Sequence, residues 1–251
     1  MLAAATATMR LLRRAGGKLQ TQPQRPAGSS LTAPRYVAII ADGNNRWASG
    51  RGLPAGAGHT AAADTLKERV MDSLELGIQE LTVYVFSTEN WSRPASEVGE
   101  LMGMFTWRIA IEAPDLHRQG VRVRFMGRRD GLPYGLIEQM DRVQLLTEGN
   151  DRMILFLAFN YGGRAEIIDA AARFSGNSED DFRRCLYAPE MHDPEVIIRT
   201  GGERRLSNYL LWQSAYAELI FRDELWPEFS RSTLEDSLVE FTDRARRFGG
   251  R

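Results

Sequence analysis

The sequence predicts one α/β domain, a central, mostly parallel β-sheet flanked by helices. From residue 36 onward, short β-branched or apolar runs alternate with longer stretches of helical period. No internal repeat or second domain interrupts that alternation. With 251 residues, 43% of them apolar, the chain has enough material for one substantial core.

Strands are expected at 36–41 (YVAIIA), 81–86 (LTVYVF), 121–126 (VRVRFM), 153–159 (MILFLAF), 195–198 (EVII) and 217–221 (AELIF). In the second of these, strict alternation places Val83 and Val85 on one face, opposite Tyr84 and Phe86. A helix over about 59–76 puts Leu66, Val70 and Leu74 on one side and stops at Gly77, which suits a left-handed cap. The next starts near Glu97, where Val98, Leu101, Met102, Phe105 and Ile109 recur at helical spacing. Pro114 is expected to kink or end it. Further helices are expected at 133–148, 164–174 and 232–247, with a shorter one around 179–187.

Residues 1–35 read as a separate tail, leaving 36–251 as the one folded domain. The tail carries Arg10, Arg13, Arg14, Lys18, Arg25 and Arg35 without an acid, and too little apolar surface to offset the entropy of ordering it. Disorder is the plain expectation; a transit peptide and a contact with anionic lipid share the same composition. The net charge of −1 argues against nucleic acid as a partner. No run reaches the roughly 18 apolar residues of a membrane span, and the single Cys185 excludes an internal disulfide. A cytoplasmic protein, soluble or peripheral to a membrane, is therefore expected.

In open α/β sheets ligands gather at the carboxyl ends of the strands. Three segments there are unusually polar: ADGNNRW (41–47), STENWSRP (87–94) and RTGGERRLSN (199–208). The first combines an acid, a glycine that admits backbone N–H groups, two amides and an arginine, a composition suited to phosphate with a divalent cation. Asp42 would hold Mg²⁺, with Arg46 on the phosphate oxygens. An ordinary Asp/Asn/Gly turn has the same composition. His59 follows at a helix start, where a capping or core role competes with an anion-binding one. In 87–94, Ser87, Glu89, Asn90 and Arg93 fit a ligand cleft, while Ser92 or Arg93 also suits a cap before a Pro-started helix. The third segment places Arg199, Arg204 and Arg205 around Gly201-Gly202, a cluster whose mutual repulsion calls for an anion or several acids. Glu203 and Glu218 are the near acids in sequence, and Glu218 is either a paired surface residue or a second acid near the metal. The apolar residues of 81–86, 153–159 and the helix from 97 are either core or the wall of a lipid tunnel.

Six motifs together resemble those of the cis-prenyltransferases, especially the bacterial undecaprenyl diphosphate synthase branch: ADGNNRWA, GH at 58–59, VFSTENWSRPASEV, FNYGGRAEI, IIRTGGERRLSNYLLWQSAYAEL and a terminal RRFGG. The resemblance spans about residues 36–250. It implies a fold with an apolar tunnel, Mg²⁺ as cofactor, and condensation of isopentenyl diphosphate with an allylic primer such as farnesyl or geranyl diphosphate. The product would be a Z-polyprenyl diphosphate of the undecaprenyl or decaprenyl carrier type, which partitions to the membrane. Asp42 matches the metal-binding aspartate. Gly43, Asn44, Asn45, Arg46 and Trp47 match the primer-diphosphate loop, with His59 beside it.

Asn90 and Arg93 match residues of the condensation step, with Ser87, Glu89 and Trp91 in the same substrate-contacting motif. Arg199, Arg205 and Ser207 match the isopentenyl diphosphate site, and Glu218 a carboxylate linked to the metal. Arg247 and Gly249 match a C-terminal element that reaches the neighbouring subunit, which implies a homodimer. The sequence departs from the family pattern at Ala55, where a second primer-binding arginine is usual, at Asn45, where glycine is common, and at Val85, where a smaller residue is common. Ala55 and Val85 favour a rival short-chain or irregular synthase. Retention of the site residues argues against a catalytically silent subunit.

Overall fold

The computed structural model describes residues 33–244. The predicted tail up to residue 32, and Arg247 and Gly249, lie outside the described residues. Six strands form a single sheet: β1 (Tyr36–Ile40), β2 (Glu80–Ser87), β3 (Val121–Met126), β4 (Met153–Tyr161), β5 (Val196–Arg199) and β6 (Glu218–Phe221). Their order is β3-β4-β2-β1-β5-β6, and every pairing is parallel. Parallel sheets are covered on both faces, which is why β1 reads as an unbroken apolar run.

The helices are α1 (Asn44–Ser49), α2 (Ala55–Glu75), α3 (Ala95–Arg118), α4 (Tyr134–Leu146), α5 (Gly163–Arg173), α6 (Glu179–Arg183) and α7 (Arg231–Asp243). Alternate residues of the strands divide between two cores. Val37, Ile39, Val83, Leu155 and Ile198 pack with Val70 of α2 and Leu234 and Phe241 of α7. Ala38, Ile40, Tyr84, Phe156 and Ile197 pack on the other face with Tyr161 and Tyr209. Among the described residues no helix is long and apolar enough to cross a membrane.

Four features differ from the sequence expectation. Residues 44–49 are helical rather than a loop, because Gly43 turns the chain at φ 111° and delivers it into α1. The helix expected from 59 already starts at Ala55, behind Pro54, whose fixed φ suits a helix entrance. Pro114 lies inside α3 and does not end it. Its missing N–H is outweighed by the packing of Ala113 and Leu116 on either side and by the Lys67–Asp115 ion pair (3.7 Å). Phe86 does not share a face with Tyr84: it packs with Val85 against α3 residues Val98, Leu101 and Met102. The cause is a register shift against β4 between Tyr84 and Phe86, which breaks strict alternation.

Candidate active site at the carboxyl ends of β1 and β5

From β1 the chain crosses to β2 on one side, whereas β5 joins β1 on the other. The strand order therefore reverses between β1 and β5, and a crevice opens at their carboxyl ends. Asp42 follows β1, and Arg199 ends β5. One guanidinium nitrogen of the buried Arg199 donates to Asp42 Oδ2 at 2.8 Å, while Arg46 of α1 donates to Asp42 Oδ1 at 3.1 Å and to the Gly201 carbonyl at 2.7 Å. Thr200 locks the corner: its hydroxyl accepts from the Asp42 N–H (2.9 Å) and donates to the Asp42 carbonyl (2.8 Å). Close approach explains two glycines here. A Cβ on Gly201 would lie 2.6 Å from an Arg46 nitrogen, and one on Gly58 would lie 2.3 Å from the Asn44 carbonyl, prying α2 from α1.

A second hub forms at the start of α3. Glu97 accepts from Arg93 at 3.0 Å and faces His59 Nε2 at 3.4 Å, and Asn45 also bonds to it. Burial alone would raise the Glu97 pKa, but Arg93 and its hydrogen-bond partners outweigh burial and hold the carboxyl below the ordinary range. Burial pushes the His59 pKa below its ordinary value, against the opposing bond to Glu97. Sequence reasoning saw Glu97 only as an acid in a first helical turn; its role as the common partner of three candidate site residues is a tertiary fact.

The segment 88–92 forms a 3₁₀ turn closed by a reciprocal cap, with Asn90 Oδ1 accepting from the Ser87 N–H at 3.0 Å. Helix α3 itself starts behind Pro94 with no side-chain cap, so neither Ser92 nor Arg93 caps it. Trp91 donates to Asn160 Oδ1 at 2.7 Å, which pins the turn to β4. Glu89 accepts from the Asn208 side chain at 2.8 Å. Burial would raise this carboxyl too, but the Asn208 bond and its neighbours hold it below the ordinary range.

Asp42, Gly43, Asn44, Asn45, Arg46, His59, Ser87, Asn90, Arg93 and Arg199 all line one cavity of about 380 Å³. Below this polar mouth the walls become apolar, with Val83 and Val85 of β2, Leu101, Phe105 and Ile109 of α3, and Leu155 and Leu157 of β4. Many of the residues whose role as core or tunnel was open in the sequence thus line a cavity. Its outer side is closed by ion pairs between α2 and α3, Lys67–Glu112 and Arg108–Asp64, each at 2.6 Å.

Other candidates stand apart from this cavity. Trp47 stacks under the Arg51 guanidinium, 4.5 Å from its ring centre. Arg205 is exposed and pairs with Glu203, while Ser207 Oγ accepts from Arg199 at 2.7 Å and so joins the site through that side chain. Glu218 is a correction. It starts β6, where the register aligns it with Val196 and Val37 at the amino end of the sheet, and it pairs with Arg244 at 3.1 Å. Within one chain it is not beside Asp42, because a parallel strand carries its first residue to the end remote from the crevice. The acid that offsets Arg199 is Asp42, not Glu203 or Glu218. Among the described residues no three His, Cys, Asp or Glu side chains converge to hold a metal. Asp42 alone suits Mg²⁺, which takes one or two carboxylates and completes its shell with phosphate oxygens and water.

A prenyltransferase family model described as undecaprenyl diphosphate synthase matches residues 40–249. An isoprenyl transferase of Thermotoga maritima is 48% identical over 229 residues, 88% of this chain and 98% of that protein. Isoprenyl transferase 2 of Bradyrhizobium diazoefficiens is 46% identical over 87% of this chain and 91% of its own length. Among solved structures, lavandulyl diphosphate synthase from Lavandula x intermedia, in complex with dimethylallyl diphosphate, superposes with a TM-score of 0.83 at 31% identity, covering 86% of this chain and 98% of that one. A probable undecaprenyl diphosphate synthase from Campylobacter jejuni gives 0.75 at 28% identity, over 87% of this chain and 100% of that one. With the family match spanning the domain that carries this mouth and cavity, the chain belongs to the undecaprenyl diphosphate synthase family of cis-prenyltransferases and is a transferase of prenyl groups.

Proposed function

We propose that this protein condenses isopentenyl diphosphate with an allylic diphosphate primer to give a Z-polyprenyl diphosphate of the undecaprenyl type. The observation that carries the reading is the continuity of a cationic mouth, with Arg46, Arg93 and Arg199, and an apolar cavity beneath it. Such a cavity accepts a ligand with an anionic head and a hydrocarbon tail. In the reaction the primer's C1–O bond breaks and its electron pair leaves with the diphosphate. The isopentenyl double bond then bonds to C1 through its C4, and the proton lost from isopentenyl C2 passes to the released diphosphate as the C2–C3 double bond forms.

Arg46 and the first turn of α1 bind the departing diphosphate, where fixed positive charge is worth most. Asp42 would hold Mg²⁺, which would supply further neutralisation at that leaving group. Arg199 and Ser207, with Arg205 on the same loop, receive isopentenyl diphosphate. Asn90 and Arg93 orient the reacting ends, and His59 hydrogen-bonds at the mouth. The resemblance at 247–249 supports a working homodimer, and a long hydrocarbon product leaves for a membrane by its own apolar area.

The fold match to lavandulyl diphosphate synthase and the bulk of Val85 in the cavity wall favour one second reading, a short or irregular product. Incubation with farnesyl, geranyl or dimethylallyl diphosphate, labelled isopentenyl diphosphate and Mg²⁺, followed by sizing of the lipids, separates the two. A ladder of Z products growing by one isoprene unit is expected. A product formed from dimethylallyl diphosphate alone would instead support the irregular chemistry.

A further inference from the structure

Three residues other than glycine hold left-handed backbone within four positions of the loop after β5: Ser207 (φ 49°), Asn208 (φ 63°) and Leu210 (φ 44°). Such a run persists only where its surroundings over-determine it. The fixation centres on Asn208. Its Nδ2 donates to Glu89 Oε1 at 2.8 Å, on the 3₁₀ turn after β2. Its Oδ1 accepts from the Arg164 N–H at 2.8 Å, and its main-chain carbonyl accepts from the Gly163 N–H at 2.7 Å, both at the start of α5 after β4. The seat is tight: a Cβ on Gly162 would lie 2.8 Å from Asn208 Nδ2, and one on Gly163 would lie 3.1 Å from the Asn208 carbonyl.

Three loops at the carboxyl edge of the sheet therefore meet at one amide. A continuous line of bonds runs from Glu89 through Asn208 to the adjoining Ser207, then from Ser207 Oγ to Arg199 (2.7 Å) and on to Asp42 (2.8 Å). Asparagine suits the position because it tolerates left-handed backbone and carries a donor and an acceptor on one plane. Aspartate would lose the donor and face the Glu89 carboxylate with a second negative charge. Glycine would accept the backbone but make neither side-chain bond.

We propose that Asn208 is a positioning residue that holds Ser207 and Arg199 in register with the Glu89 turn, and so sets the affinity for the diphosphate bound between them. The inference rests on the prenyl-transfer reading, with isopentenyl diphosphate as the ligand received at Ser207 and Arg199. It assigns to the side chain a role that fold stability alone would not produce, since the backbone strain favours glycine.

Steady-state kinetics of the full chain, varying each substrate in turn, test it in Asn208→Gly and Asn208→Asp. The KM for isopentenyl diphosphate is expected to rise about tenfold or more in both, as loss of a charge-assisted bond implies. The KM for the allylic primer should change by less than about twofold, and the thermal midpoint of Asn208→Gly should stay near that of the parent. In a double-mutant cycle, Glu89→Ala should add little to the isopentenyl diphosphate KM once Asn208 is glycine. An unchanged KM in Asn208→Gly, equal rises for both substrates, or strictly additive effects in the cycle would each overturn the assignment. A parent protein that forms no prenyl product from any primer would overturn the functional reading itself, a failure distinct from an active parent with indifferent Asn208 variants.

Discussion

Arg199 is 4% exposed, and its charge is met by Asp42 across 157 residues of sequence. That pairing was not legible: the polar segments after β1 and β5 were recognisable, but only the parallel register joins them. On the proposed reading, removing Arg199 takes away a charge-assisted bond to isopentenyl diphosphate, and it also frees Asp42 from one partner. Arg199→Ala is therefore expected to raise the KM for isopentenyl diphosphate more than about tenfold, given roughly 1.5–3 kcal/mol for such a bond. Arg205→Ala should do the same with less effect on thermal stability, because Arg205 is exposed. If the primer KM rises instead, the two diphosphate sites are reversed.

Away from the site, His192 faces the buried Glu80, with Nδ1 and Oε1 2.6 Å apart, and stacks on Tyr36. The Glu80 hydrogen bond raises its pKa above the ordinary value of 6.5. Because the folded value is the higher one, the stabilisation is complete below the unfolded value and is lost as pH rises through the folded value. The thermal midpoint of His192→Gln should accordingly lie furthest below the parent at about pH 6 and approach it at alkaline pH. A deficit that is constant with pH would contradict this.

At the scale of elements, the strands were readable because a parallel sheet buried on both faces leaves apolar runs that little else in the sequence imitates. The third strand falls at 121–126 as expected, and the ends that differ in the others do so by one or two residues. Helix α1 was not readable, since Asn-Asn-Arg after Asp-Gly has the composition of a turn; its helicity depends on Gly43 and on the seat that Gly58 gives it against α2. The face of Phe86 was missed for a similar reason, as a register shift between neighbouring strands has no local signature.

The same element makes a prediction about product length. Val85 lines the apolar cavity beside Val83, so its methyls occupy volume that a growing tail would use. Val85→Ala should lengthen the main product and Val85→Phe should shorten it, with initial condensation rates little changed, because a packed wall yields only at the cost of strain. Chromatographic sizing of the lipids reads the result directly. Products of equal length from all variants would place the limiting wall elsewhere.

For the whole molecule, the sheet order creates one reversal point, and the chain places its acid and its buried arginine at the carboxyl ends of the two strands that flank it. The apolar cavity then runs from that point between α2, α3 and the sheet, with two ion pairs joining the helices beside it. In the proposed function, a head group is fixed at the crevice while the tail extends below. Asp42 is the residue on which both halves of that account depend. The most direct measurement is the first-condensation rate of Asp42→Ala at saturating Mg²⁺ and saturating substrates, with a melting curve as the control for folding. A fall of at least about a hundredfold with a cooperative melt is predicted, as expected for loss of charge stabilisation at a leaving group. A rate equal to that of the parent would contradict the account.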